Sequence, residues 1–197
     1  LATLAHEPRN PLAPIRFALD TPKRDTPPAT MARAHAVIER QIRQLVCLVD
    51  DLLDVSRITG DKIRLRREPL DLARLMETAV ESVTPIAAAS GHTLDVQVPG
   101  EAICVEGDAT RLVQVFGNVL NNAVKFTPGD GQIRFTAERR ADVAVVRVRD
   151  TGVGIAPEDQ KRIFEKFQKL DTGHTRRHEG TGLGLAIVKE LSAILQG

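Results

Sequence analysis

The sequence predicts an α+β chain in two parts: an N-terminal α-helical hairpin that forms a dimeric four-helix bundle, and a C-terminal α/β sandwich. Three observations carry that prediction. Apolar residues recur in alternating four- and three-residue steps at Ile38, Ile42, Leu45, Val49 and Leu52, which is an a/d seam. Pro22, Pro27 and Pro28 interrupt the helical pattern just ahead of it, as a loop would. Beyond Gly60 the pattern changes to short alternating stretches separated by amphipathic helices. The expected boundaries are 1–59 for the hairpin, 60–69 for a linker and 70–197 for the sandwich.

In the first arm Leu1, Ala5, Pro8, Leu12, Ile15 and Leu19 fall on one helical face. Asp20 to Thr30 reads as the loop. In the second arm Leu48, Leu53 and Val55 widen the stripe beyond what one antiparallel neighbour can cover, so two copies are expected to pack together. Lys62 to Leu70 is a basic connector. Asp71 is placed to cap a helix running to about Ser90. Thr93–Val98 and Ala102–Glu106 alternate as strands. Asp108 to Phe126 reads as a helix with Leu112, Val115, Phe116, Val119, Leu120 and Ala123 on its apolar side. Gln132–Glu138 and Val143–Arg149 are two further strands about a turn at Arg140-Ala141-Asp142. The stretch 151–181 is polar and irregular, and Leu183 to Leu195 is a final apolar helix. The sheet is expected to be mostly antiparallel.

Composition excludes several classes of function. A formal net charge of +1 argues against a dominant nucleic-acid or membrane-surface role. With no Trp, no Tyr and six Phe, the chain has little with which to stack bases. Cys47 and Cys104 stand far apart in apolar contexts and read as two buried thiols of a reducing compartment. No apolar run is long enough to span a membrane. The first residues already lie inside a helical pattern, so the chain reads as a cytoplasmic fragment of a larger protein that can be membrane-anchored.

Four blocks carry chemistry. Leu4-Ala5-His6-Glu7-Pro8-Arg9-Asn10-Pro11-Leu12 offers an imidazole beside a carboxylate. A neutral histidine has a ring nitrogen with an available lone pair, and a carboxylate that accepts the proton on the other nitrogen raises its nucleophilicity. His35, His92, His174 and His178 lack such neighbours and read as ordinary histidines. Asn118 and Asn122 are four apart on one helical face. Their amide oxygens suit Mg²⁺, and Lys125 can reach a phosphate. Asp150-Thr151-Gly152-Val153-Gly154 follows a strand. Its carboxylate can accept from the amine of adenine, though Asp-x-Gly-x-Gly alone also describes an ordinary turn. Gly180-Thr181-Gly182-Leu183-Gly184 precedes the last helix, where backbone N–H groups can hold phosphate.

The order and spacing of these blocks resemble the catalytic core of a sensor histidine kinase, with the H-, N-, G1 and G2 boxes in turn and Phe164-Glu165-Lys166-Phe167 resembling the F-box. The resemblance implies a GHKL-type ATP-binding domain and a cofactor pair of ATP and Mg²⁺. It makes His6 the phosphorylated residue, Glu7 its base, and Asn10 the residue that positions water for dephosphorylating a partner. It assigns nucleotide contacts to Asn118, Asn122, Lys125, Phe126, Asp150, Gly152, Gly154, Gly180, Thr181, Gly182, Leu183 and Gly184, with Asn122 as the metal ligand. Asp171 to Glu179 falls where the family has its ATP lid. The implied partners are a second copy of the chain and a response regulator receiver domain, with no nucleic acid and no membrane contact. Pro8 stands where the family usually has an aliphatic residue. Proline cannot donate to the carbonyl of Leu4 and crowds it, at a cost of about 3 kcal/mol in a regular helix, so distortion is expected beside His6. Two alternatives share parts of the pattern: a GHKL ATPase that uses ATP to drive conformational change, and a non-catalytic or phosphatase-only scaffold.

Overall fold

The computed structural model describes residues 12–20, 27–59, 64–98, 100–168 and 181–196. The hairpin consists of α1 (Leu12–Asp20) and α2 (Pro28–Thr59). Pro28 opens α2, where its missing N–H would have no intrahelical partner in any case, so the helix begins inside the stretch expected to be loop. Along α2 the buried line is Ala34, Gln41 and Leu48 in seven-residue steps, with Ile58 further on. Leu45 and Leu52 are half-buried beside it. Ile42, Val46, Val49 and Leu53 are about half exposed, again in four- and three-residue steps. The expected seam therefore divides, with one side covered within the chain and the other facing outward.

In the second part, β1 (Glu68–Asp71) pairs antiparallel with β3 (Cys104–Gly107). A separate three-stranded sheet has the order β2 (Thr93–Gln97), β4 (Gln132–Arg140), β5 (Val143–Asp150). There β2 lies parallel to β4, and β4 antiparallel to β5. Strand β1 lies in the stretch read as a connector and helix cap. Four residues that include Pro69 show no periodic signal, and proline is tolerated at a sheet edge. Asp71 serves twice, ending β1 and capping α3 (Leu72–Ala89) by accepting from the N–H of Ala73 at 3.0 Å. Pro85 sits inside α3 on its exposed side. Both cysteines are exposed rather than buried. Cys47 falls on the outer face of α2, and Cys104 points away from the core while its neighbour Ile103 points in.

Helices α3 and α4 (Ala109–Phe126) pack on one face of the larger sheet. Met76 and Val83 of α3, Leu120 of α4, and Ile133 and Phe135 of β4 are fully buried there. The alternation Ile133, Phe135, Ala137 is the period-two pattern of a strand with one buried face. Phe116 meets Phe135 edge-on, with ring centroids 5.7 Å apart and planes at 66°, a favourable aromatic geometry. Asp108 fixes the start of α4. One carboxylate oxygen accepts from the N–H of Arg111 at 3.2 Å and the other from the N–H of Arg66 at 3.0 Å. This buried side chain thus caps a helix and holds the chain leading into β1.

The last helix, α5 (Gly184–Leu195), lies between α4 and the C-terminal half of α2. Leu183, Ile187 and Leu191 form a second apolar cluster with Ile58. Leu52, Val55 and Phe167 pack around it. Two carboxylates of α2 add polar contacts. Asp54 accepts from Arg111 at 3.2 Å and from Gln114 at 2.6 Å, and Asp51 accepts from the hydroxyl of Thr181 at 2.6 Å. No described helix is long and apolar enough to cross a membrane.

Replacing Asp108 with Ala removes the acceptor for two backbone N–H groups. The loss should be roughly 1–2 kcal/mol, read as a lower midpoint in urea unfolding with an unchanged slope.

Candidate functional site

Helix α4 brings the blocks together. Its amphipathic pattern buries Phe116, Leu120, Ala123 and Val124, which leaves Asn118 and Asn122 one turn apart on a flank toward α5. The Nδ2 of Asn118 lies 3.5 Å from the carbonyl oxygen of Gly184. A Cβ added at Gly184 would lie 3.9 Å from the Oδ1 of Asn118 and 4.0 Å from the Nδ2 of Asn122. The two amides therefore flank the N-terminus of α5, where the first N–H groups have no partner within the helix. Leu183, as the helix cap, makes no side-chain capping bond. Its own N–H donates to the Oγ1 of Thr181 at 3.2 Å.

The C-terminal end of α4 carries the second group. Lys125 places its Nζ 4.7 Å from the centroid of the Phe126 ring, within cation–π range. The carbonyl oxygen of Phe126 accepts from the N–H of Val153 at 3.3 Å. Asp150 closes a tight turn by accepting, through Oδ1, from the N–H of Gly152 at 2.8 Å. A Cβ at Gly152 would fall 2.6 Å from both that carboxylate oxygen and the Phe126 carbonyl, so only glycine fits between them. Gly154 follows with φ +71° and open space around it. Asp150 is exposed, whereas recognition of adenine suggested a buried carboxylate. It stands at the very end of β5, the last residue of the strand.

The segment before α5 is held from two sides. Gly182 has φ +71°, and a Cβ there would approach the backbone of Phe167 to 3.0 Å. The N–H of Phe167 donates to the Gly182 carbonyl at 3.0 Å, and Phe167 itself has φ 64°. A non-glycine residue in the left-handed region is uncommon. Here its ring packs against the cluster of Ile58, Leu183 and Ile187. From the other side Asp51 holds Thr181. Burial pushes the Asp51 carboxyl above its usual value, the Thr181 hydroxyl partly offsets this, and the nearby Asp54 and Asp50 add to the rise.

Asn118, Asn122 and Gly184 thus meet, as do Phe126, Asp150 and Gly152. No hydrogen bond joins the Asp150 turn directly to the 181–184 segment among the described residues, and α4 is their common support. His6, Glu7, Asn10, Pro8, Gly180 and the charged run from Asp171 to Glu179 lie outside the described residues. A hollow of about 970 Å³ lies elsewhere, lined by Leu112, Phe116, Val146, Val148 and Leu195 among others. Neither asparagine lines it. Asp51 and Asp54 were not anticipated as partners of these blocks. The available signal was three aspartates, at 50, 51 and 54, in a helix stretch otherwise rich in Leu and Val.

This donor set suits an anionic nucleotide. Backbone N–H groups at a helix N-terminus favour phosphate oxygens, and the Asp150 turn offers a carboxylate to an amine. No group of three or more His, Cys, Asp or Glu side chains capable of holding a metal is found among the described residues. Amide oxygens at Asn122 and Asn118 therefore fit a cation that arrives largely ligated by phosphates and water, not one held in a protein cage. Gly152→Ala should force the Asp150 turn away from Phe126 and weaken adenine-nucleotide binding by roughly tenfold or more. Titration calorimetry of the variant checks this, with circular dichroism expected to retain the wild-type helical content.

Comparison with known proteins agrees with this geometry. Residues 107–197 match the family model described as histidine kinase-, DNA gyrase B-, and HSP90-like ATPase. Residues 1–61 match the His Kinase A (phospho-acceptor) domain. The sensor protein kinase PmrB of Pseudomonas aeruginosa is 34% identical over 187 residues, covering 95% of this chain and 38% of its own length. Among solved structures, histidine kinase ThkA in complex with response regulator protein TrrA has a TM-score of 0.78 at 25% identity, covering 100% of this chain and 54% of the other. Full-length ShkA in complex with AMPPNP has a TM-score of 0.71 at 34% identity, covering 98% of this chain and 40% of the other. With paired asparagines beside the N-terminus of α5, and with both family models matched in order along it, this chain belongs to the sensor histidine kinases and corresponds to their catalytic core.

Proposed function

We propose that the chain autophosphorylates on His6 with ATP and passes the phosphoryl group to an aspartate of a response regulator. The observation that carries the proposal is the meeting of Asn118 and Asn122 with the N-terminus of α5 at Gly184. It supports a phosphate-binding end of the site, and the Asp150–Gly152 turn at the other end of α4 supports an adenine-binding end. The two ends are held by one rigid helix, which fixes their separation. The pairing of the family model for a phospho-acceptor domain with an ATPase-like one, and the AMPPNP and TrrA complexes of the related structures, support the same reading.

In this reading a ring nitrogen of His6 attacks the γ-phosphorus, a P–N bond forms, the bond from the γ-phosphorus to the β,γ-bridging oxygen breaks, and ADP leaves. Glu7 accepts the proton from the other ring nitrogen. The phosphorylated imidazole then loses its phosphoryl group to a carboxylate of the receiver domain. Asn10, four residues after His6 in the sequence, orients the water that hydrolyses the regulator's phosphoaspartate. Asn122 would hold Mg²⁺ through its amide oxygen, and the cation, when bound, neutralises charge on the transferring phosphate. Asn118, Thr181, Gly182, Leu183 and Gly184 position phosphates, with Gly180 completing that loop. Lys125 and Phe126 pack at the nucleotide's edge, and Gly154 leaves a face open to the base. Positioning and charge neutralisation supply most of what phosphoryl transfer requires.

The hairpin at 1–59 would act as the dimerisation and phosphotransfer unit, 60–69 as its linker, whose last two residues already belong to β1, and 70–197 as the catalytic unit. The outward stripe of Ile42, Val46, Val49 and Leu53 supports a homodimer, since each is about half exposed at helical spacing on a face that no described residue covers. A cytoplasmic setting follows from the supply of ATP and a receiver domain.

His6→Gln should abolish incorporation of label from γ-labelled ATP while nucleotide binding persists. The wild-type label should be acid-labile and alkali-stable, and equal labelling of both proteins would remove His6 from the mechanism. Asp150→Asn should raise the dissociation constant for ATP about tenfold, the lower end of the range for a charge-assisted hydrogen bond of about 1.5–3 kcal/mol. Titration calorimetry with the two nucleotides ATP and GTP reads this directly, with the loss confined to ATP.

A further inference from the structure

Thr181 has one hydroxyl proton, and in this structure it is spent on the hairpin. The hydroxyl donates to the Oδ2 of Asp51 at 2.6 Å, across 130 residues of chain. Its oxygen accepts from the N–H of Leu183 at 3.2 Å. The only proton the side chain can donate is therefore in use. Thr181 also stands three residues before Gly184, the position flanked by Asn118 and Asn122. A phosphate oxygen arriving at this helix terminus is a stronger acceptor for the same proton and carries the same sign of charge as the Asp51 carboxylate.

We propose that Asp51 couples occupancy of the α5 N-terminus to the docking of α2 on the catalytic unit, because the Thr181 hydroxyl can serve either Asp51 or a phosphate but not both. The inference rests on the nucleotide reading of the site. When Thr181 turns to phosphate, Asp51 is left half-buried beside Asp54 and Asp50 with its hydrogen bond lost. An ionised group in that position is costly, and the docked arrangement weakens. Linkage makes the effect reciprocal: undocking frees Thr181 and raises affinity for the anion by the same factor.

The rest of the interface is built to persist through this exchange. Asp54 bonds to Arg111 and Gln114, not to the loop before α5. The apolar cluster of Ile58, Leu183, Ile187 and Leu191 has no polar partner to lose. Phe167, bonded to Gly182 and packed on the same cluster, ties the other side of the loop to the same surface. The bond of Thr181 to Asp51 is thus a contact between α2 and the segment before α5 that a phosphate contests directly.

The test uses the full chain and the probe AMPPNP with Mg²⁺. Titration calorimetry gives affinity, and amide hydrogen exchange over 52–58 and 187–194 gives docking. In the wild type, AMPPNP should increase exchange in both segments. In Asp51→Leu, affinity should rise about three- to tenfold, from the net worth of one contested hydrogen bond. Exchange in those segments should then respond little to AMPPNP. Asp51→Asn keeps an acceptor without the charge and should fall between the two, while Asp50→Ala should match the wild type. Wild-type protein that binds AMPPNP with unchanged or lower exchange would overturn the coupling and leave the nucleotide reading intact. An Asp51→Leu response equal to the wild type would do the same. Wild-type protein that does not bind AMPPNP would overturn the nucleotide reading, and the coupling with it.

Discussion

The contact of Phe116 with Phe135 seats α4 on the central strand, and nearly every other feature of the catalytic unit depends on that seat. It fixes the rotation of α4 about its axis. Rotation in turn decides that Leu120, Ala123 and Val124 face the sheet while Asn118 and Asn122 face α5. A helix turned by one residue, about 100°, would bury an asparagine without a partner and expose a leucine. The capping of α4 by Asp108 sets the axial position in the same way, since it fixes which N–H begins the helix. Phe126 then ends the helix at the level of the Asp150 turn.

Two surfaces of α2 have different tasks. One is occupied within the chain, by α1 over part of its length and by α5 and α4 near its end. The other presents the aliphatic stripe. The carboxylates Asp51 and Asp54 fall toward the first. Arg111, Gln114 and Asp54 form a closed set in which each polar group has a partner, with the Arg111 and Asp54 side chains about one-fifth exposed. Such a set fixes the angle at which the two units meet more than it adds stability, because desolvation offsets much of the attraction.

Much of this was legible in the sequence, for a physical reason that also explains the gaps. Spacing along one element encodes which face a residue occupies. Asn118 and Asn122, the apolar side of α4 and its start at Asp108, the cap Asp71, and the alternating core of β4 could all be read locally. Contacts between distant elements leave no such trace. Asp51 and Asp54 meet residues 130 and 57 positions away, and in sequence they are only charges on a helix. Strand β1 is too short to alternate, and Pro69 argues against it. The exposure of Asp150 and of both cysteines depended on which face of each element the rest of the chain covers. The parallel pairing of β2 with β4 could not be told from an antiparallel one, since alternation is the same in both.

That parallel pairing has a consequence for how the catalytic unit assembles. Thr93 pairs with Gln132, while β3 and the whole of α4 are strung between the two strands. The hairpin of β4 and β5, closed by the turn at Ala141 with φ 50°, is local and loses little entropy on closing. The β2–β4 ladder cannot form at comparable cost until the intervening chain has collapsed, and the compact form of that chain is α4 lying on Phe135. The helix that carries Asn118 and Asn122 is therefore also the crossover that makes the sheet reachable. Nonlocal pairing of this kind slows folding relative to a meander of the same size, so the order of assembly and the placement of the asparagines are tied to the same eighteen-residue helix.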